Sequence, residues 1–97
     1  MTDVTLRRTQ LATPASDKGM MRSAAGSDAD EVFLDLEDSV APSAKSGARE
    51  PLIDVAQNED WSDTVLSYRI NGIDTRWWYD DVITVVSEAG EHIDDII

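Results

Sequence analysis

Two spacings of apolar residues take turns along this chain. Short runs of β-branched, aromatic and aliphatic residues have the look of strands buried on both faces. Longer stretches between them carry the helical period of about 3.6 residues. Residues 9–13 read as a short strand ended by Pro14, and residues 16–27 as a helix with Ser16 or Asp17 as N-cap. Residues 32–36 form the second strand, and 43–57 the second helix, capped by Ser43 and kinked or split by Pro51. Residues 64–70 form the third strand, ended by Asn71-Gly72, a turn pair that tolerates positive φ. Residues 75–89 form the third helix, closed by Gly90 at C′, and 93–97 begin a fourth strand.

Strands alternating with helices, about one βα unit per 30 residues, argue for an α/β fold with a parallel sheet and right-handed crossovers. The pattern alone does not separate a doubly wound sheet from a (β/α)8 barrel. Both place ligands at the carboxyl ends of their strands. Three such ends are polar or open here: Ala12-Thr13-Pro14, the carboxylates Asp35, Glu37 and Asp38, and Arg69-Asn71-Gly72. They converge on one mouth.

Arg69 is the sharpest candidate. A guanidinium that follows the apolar alternation of residues 65–68 must be paired, and its fork suits a carboxylate or the oxygens of a 2-oxo acid. The plainer alternative is that Arg69 neutralises Glu37 or Asp38 on the neighbouring strand, and both can hold at once.

Composition narrows the partners. Eight basic against twenty acidic residues leave a net charge of −12, with six Arg and only Lys18 and Lys45 as lysines. That balance excludes a nucleic-acid binder that works by phosphate neutralisation. It fits either a salt-adapted cytoplasm, where salt screens self-repulsion, or an ordinary acidic protein. With no Cys there is neither a disulfide framework nor a thiol nucleophile. One histidine, His92, cannot make a two-His metal site. No apolar run approaches the ~20 residues of a membrane span. Residues 1–8 are polar rather than signal-like, so the expectation is a cytoplasmic protein with no membrane partner.

Other residues read as structure. Trp77, Trp78 and Tyr79 suit core or subunit contact better than a stacking platform. Asp80 and Asp81 fall in the first turn of the third helix, where its dipole favours them. Lys45 reads as a solvated helix lysine or as one pointing to the mouth, and Asp94-Asp95 as a solvated loop pair.

The run Leu34-Asp35-Leu36-Glu37-Asp38-Ser39-Val40-Ala41-Pro42, followed by Tyr68-Arg69-Ile70-Asn71-Gly72-Ile73-Asp74-Thr75 and Trp77-Trp78-Tyr79-Asp80-Asp81, resembles the N-terminal part of the citrate lyase β-subunit/malyl-CoA lyase (HpcH/HpaI aldolase) family. Within it the likeness is closest to the malyl-CoA/β-methylmalyl-CoA lyases, which share the Thr9-Gln10-Leu11 type of opening strand. It runs from about Arg8 to Ile97. The resemblance implies three βα units and the start of the fourth strand of a (β/α)8 TIM barrel, with residues 1–97 as a partial barrel domain. A complete barrel takes about 250 residues, and Ile96-Ile97 end the chain without a turn signal. The expectation is therefore an N-terminal fragment.

What the resemblance implies about chemistry follows. The family's arginine maps onto Arg69, which would contact the bound oxo acid as catalytic and substrate-binding residue. Thr13, Pro14, Lys18, Asn71 and Gly72 would line the substrate pocket. Glu37 and Asp38 would sit beside the Mg²⁺ site without ligating it, the direct ligands and the catalytic base falling beyond Ile97. The implied substrates are a CoA thioester and a 2-oxo acid, and the implied assembly is a homo-oligomer, a trimer or hexamer. Asp17 and Ser23 stand where the family carries basic residues toward CoA, and Lys18 and Arg22 are placed to substitute. The expected activity is Mg²⁺-dependent cleavage of malyl-CoA or β-methylmalyl-CoA to glyoxylate and acetyl-CoA or propionyl-CoA. Rival readings are a citryl-CoA lyase, a malate synthase-like enzyme, and, in another class, an inactive remnant or small binding module.

Overall fold

The computed structural model describes residues 9–97; the polar stretch 1–8 lies outside them. Seven regular elements follow one another: β1 Gln10–Pro14, α1 Lys18–Ala25, β2 Glu31–Asp35, α2 Arg49–Asn58, β3 Val65–Arg69, α3 Trp78–Ala89 and β4 Asp95–Ile96. Short 3₁₀ turns at Pro42–Ala44 and Ser46–Ala48 lead into α2, and a third at Gly90–His92 leads out of α3.

All four strands are parallel and lie in the order β1-β2-β3-β4. α1 packs on α2 and α2 on α3. A doubly wound sheet reverses its strand order at a switch point. A sheet that adds each new strand beside the last, with successive helices packed side by side, is the wall of a (β/α)8 barrel.

The strands show why. Val32, Leu34 and Leu36, with Leu66 and Tyr68, are fully buried in one core with Met21, Leu52, Val55 and Val85 of the three helices. The alternate positions face the other way and carry polar groups. Glu31 accepts from Gln10 Nε2 at 2.9 Å and from Ser67 Oγ at 2.6 Å, and the register sets Pro14, Asp35 and Arg69 in one row. Period-2 alternation thus separates a packed outer face from a polar inner one.

The helices begin and end for identifiable reasons, not all of them expected. Asp17 caps α1, accepting from Met20 N at 3.0 Å. Ser43 does not cap the second helix: the 43–57 segment is split into 3₁₀ turns before α2 proper begins at Arg49. Pro51 then falls in the first turn of α2, where its missing N–H costs nothing, so it does not kink the helix. Gly90 takes φ −56° and runs on into the 3₁₀ turn instead of closing α3 in a left-handed conformation. Neither Asn71 nor Gly72 adopts positive φ; among the described residues none does. Asp94 is the exposed loop residue expected, though its carboxylate also accepts Leu66 N at 2.8 Å, whereas Asp95 is not in the loop but opens β4.

Among the described residues no helix is long and apolar enough to cross a membrane.

Candidate functional site

The carboxyl ends of β2 and β3 are joined through one carboxylate. Asp35 is the last residue of β2 and pairs in register with Arg69, the last of β3. Its Oδ1 accepts Arg69 Nε at 2.9 Å and Glu37 N at 2.8 Å. Its Oδ2 accepts Arg69 Nη2 at 2.7 Å, Ser39 Oγ at 2.7 Å and Ser39 N at 3.1 Å. One side chain therefore holds the guanidinium in a two-point fork and also builds the turn that follows β2.

This corrects the expected partner of Arg69. Glu37 stands 3.5 Å from Nε and Asp38 4.0 Å from Nη2, so both contribute charge at longer range while Asp35 makes the direct pair. The strand period carries the reason: Asp35 and Arg69 point to the same inner face of adjacent strands. Burial raises the pKa of the Asp35 carboxyl, but the Arg69 guanidinium, the Ser39 hydroxyl and the two backbone N–H groups overcome that effect. They hold the carboxyl well below the usual carboxylate range. Arg69 is raised in turn, first by its hydrogen bonds to Asp35. The guanidinium lies 5.5 Å from the Phe33 ring centroid and keeps 30 % of its side chain exposed, which leaves an open edge toward the mouth.

The remaining candidates fall in two groups. Pro14 shares the row with Asp35 and Arg69, and Gly72 lies in the loop after β3. A Cβ on Gly72 would meet only the carboxylate end of exposed Asp74, at 2.7 Å, which can turn aside, so neither close approach nor positive φ demands glycine here. The others are engaged elsewhere. Thr13 is buried and alternates onto the helix side of β1. Lys18 forms an ion pair with Asp54 of α2, which Arg22 also approaches at 3.8 Å, so both cations serve the helix layer.

Asn71 is buried by Asp81. Asp81 Oδ2 accepts both Asn71 N at 2.9 Å and Asn71 Nδ2 at 2.7 Å, while Oδ1 accepts Arg49 Nε at 2.8 Å. Asp81 has no exposed surface, so its role exceeds that of a first-turn charge: it is the buried junction of α2, α3 and the loop after β3. Lys45 is equally far from a solvated helix lysine. It is 7 % exposed, donates to Leu36 O at 3.1 Å and Glu37 O at 2.6 Å, and lies 5.5 Å from the Trp77 ring centroid. Sequence reasoning set Asp35 at the mouth without pairing it to Arg69, read Asp81 only as a first-turn charge, and left out Arg49. The fact that Asp35 and Arg69 each end an apolar strand was the available signal for the first; nothing local marks the other two.

Among the described residues no three His, Asp or Glu side chains come together to hold a metal ion. Asp35 is already saturated by donors, which leaves Glu37 and Asp38 as two carboxylates near a cation. These residues do not form a Mg²⁺ site by themselves. A hollow opens at the opposite, amino-terminal ends of the strands among Asp30, Asp60, Asp63 and Asp94, and the charged pair is not there.

A parallel βα wall with an acid-anchored arginine at its strand ends has the architecture of part of a (β/α)8 barrel. Residues 8–93 match the family model described as HpcH/HpaI aldolase/citrate lyase, and the chain belongs to that family. It is 46% identical over 92 residues to the L-malyl-CoA/β-methylmalyl-CoA lyase of Rhodobacter capsulatus, a match that covers 95% of this chain and 29% of that protein. The citrate lyase subunit beta of Leuconostoc mesenteroides subsp. cremoris is 34% identical over 86 residues, 89% of this chain and 28% of the relative. Among solved structures, CitE of Mycobacterium tuberculosis in complex with magnesium, acetoacetate and coenzyme A superimposes with a TM-score of 0.67 at 32% identity, covering 86% of this chain and 30% of that one. The chain thus spans less than a third of the length of these relatives.

Proposed function

We propose that this chain supplies the first three βα units, with the start of the fourth strand, of a TIM-barrel carbon–carbon lyase. The enzyme cleaves malyl-CoA or β-methylmalyl-CoA to glyoxylate and acetyl-CoA or propionyl-CoA. The observation that carries the reading is the fixed, partly exposed guanidinium of Arg69 at the end of β3, forked onto Asp35. The names of the similar lyases and the acetoacetate-bound neighbour support it.

In the reaction the substrate's 3-hydroxyl loses its proton to a base as the bond between its α and β carbons breaks. The electron pair passes into the thioester enolate, which is then protonated. Arg69 is suited to bind the 2-oxo acid, and a preorganised donor at such a site is worth about 10²–10³ in turnover. Asp35 keeps the guanidinium from swinging, and Glu37 and Asp38 set negative charge on its flank. Magnesium is the proposed cofactor, with its direct ligands outside the described residues, and it would act as an electrophile toward the oxo acid. Pro14, Asn71 and Gly72 belong to the proposed mouth as backbone and loop, not as side-chain donors. The proposed setting is cytoplasmic, and the proposed assembly is a homo-oligomer.

The test uses a hybrid in which this chain replaces the matched segment of the Rhodobacter capsulatus lyase. Arg69→Lys should lower kcat by about 10²-fold or more, since lysine keeps charge but loses the fork. Near-normal kcat with a lowered melting temperature would remove Arg69 from the site. The 97-residue chain alone should release no glyoxylate from malyl-CoA and bind Mg²⁺ only weakly. Release above a heat-treated control would show that these residues hold a complete site.

A further inference from the structure

Lys45 and Arg49 are four residues apart, and each reaches a different loop beside Arg69. The Lys45 ammonium is buried on the Leu36 and Glu37 carbonyls, the backbone that carries Glu37 toward the guanidinium. The Arg49 guanidinium donates to Asp81 Oδ1 at 2.8 Å and to Trp77 O at 3.2 Å, and Asp81 holds Asn71, two residues past Arg69. The Trp77 ring lies near the Lys45 ammonium, so the two cations meet at one residue.

The proposed chemistry makes no use of either cation. Both are costly to bury and both are spent on loop backbone or on a carboxylate that clamps it. We infer that Lys45 and Arg49 form a two-cation brace that sets the spacing of the Glu37 turn and the Asn71 loop around Arg69, making Lys45 a positioning residue for the oxo-acid pocket. The inference rests on the lyase reading and deepens it by assigning control of oxo-acid affinity to a residue that touches no substrate. Arg49 is a poor probe, because its loss strands the buried Asp81. Lys45 lies where a methionine of similar length can replace it.

Two measurements test the brace. In the hybrid lyase, Lys45→Met should speed amide exchange at Glu37 and Ser39 by about tenfold or more, while Val32 and Leu34 amides keep their protection. In the hybrid lyase run in the condensation direction, Lys45→Met should raise KM for glyoxylate by ~10–100-fold, as misplacement of a site group does, and leave KM for the acyl-CoA unchanged. In a Glu37→Gln background the same change should add little further loss, because both act through one turn. Unchanged exchange at Glu37, or a Lys45→Met hybrid with a lower melting temperature but normal glyoxylate KM, would overturn the brace while Arg69→Lys remained impaired. If Arg69→Lys is also normal, the pocket reading falls and the brace falls with it.

Discussion

At the scale of single residues, Asp35 carries the largest consequence. Its folded-state pKa is depressed, so its stabilisation is complete above the unfolded carboxyl's value and is lost as pH falls through the lower, folded one. Melting temperature should therefore fall on acidification below about pH 4, near the free carboxyl's range. Asp35→Asn should flatten that slope and cost roughly 2 kcal/mol at neutral pH, by analogy with removing one partner of a partly buried ion pair. Equal acid slopes in the two proteins would show that Arg69 draws its order from elsewhere. Tyr68 acts at the alkaline end. Burial, and secondly the charge of Asp81, push its hydroxyl up to about 12. Its contribution is complete below the free phenol's value near 10 and disappears as pH rises toward 12. Tyr68→Phe should abolish that alkaline loss while sacrificing the 3.0 Å bond to Asp81 O.

At the scale of elements, the strand and helix order was legible because its signals are local. Apolar runs bounded by Pro14, Pro42 and Asn71-Gly72 locate β1, β2 and β3 to within about two residues. What was not legible depends on contacts across the sheet. The sequence places three carboxylates after β2, and only the register with β3 selects Asp35 as the one facing Arg69. Lys45 reads as solvated because nothing nearby in sequence announces that its ammonium will meet the carbonyls of Leu36 and Glu37. Pro51 misleads for a related reason: the 3₁₀ turns postpone the start of α2, which moves the proline from interior to first turn. Pro51→Ala should accordingly change stability by less than about 1 kcal/mol, well short of the ~3 kcal/mol of a mid-helix proline. A gain as large as the latter would mean that the ring strains α2.

At the scale of the whole molecule, the sheet ends on two parallel edges, β1 and β4. Exposed Leu11 lies at one and Ile96 and Ile97 at the other, with Ile83 and Val86 on α3. Open edges beside apolar surface favour association, and the net charge of −12 opposes it. The 97-residue chain in dilute buffer should be weakly ordered or self-associated, and should gain ellipticity in molar KCl as its repulsion is screened. A cooperative, monomeric melting transition at low salt would instead mark a self-sufficient domain.

The strand order has a consequence for synthesis. Each strand pairs with the one made just before it, across separations of 21, 34 and 28 residues, so pairing can follow the order in which strands leave the ribosome. Asp35 completes the link between Arg69 and β2 as soon as β3 emerges, before later strands are needed. A nascent barrel of this kind would carry a finished arginine clamp while its growing edge was still bare. During that interval its aspartate-rich exterior would be the main guard against sticking to neighbouring chains.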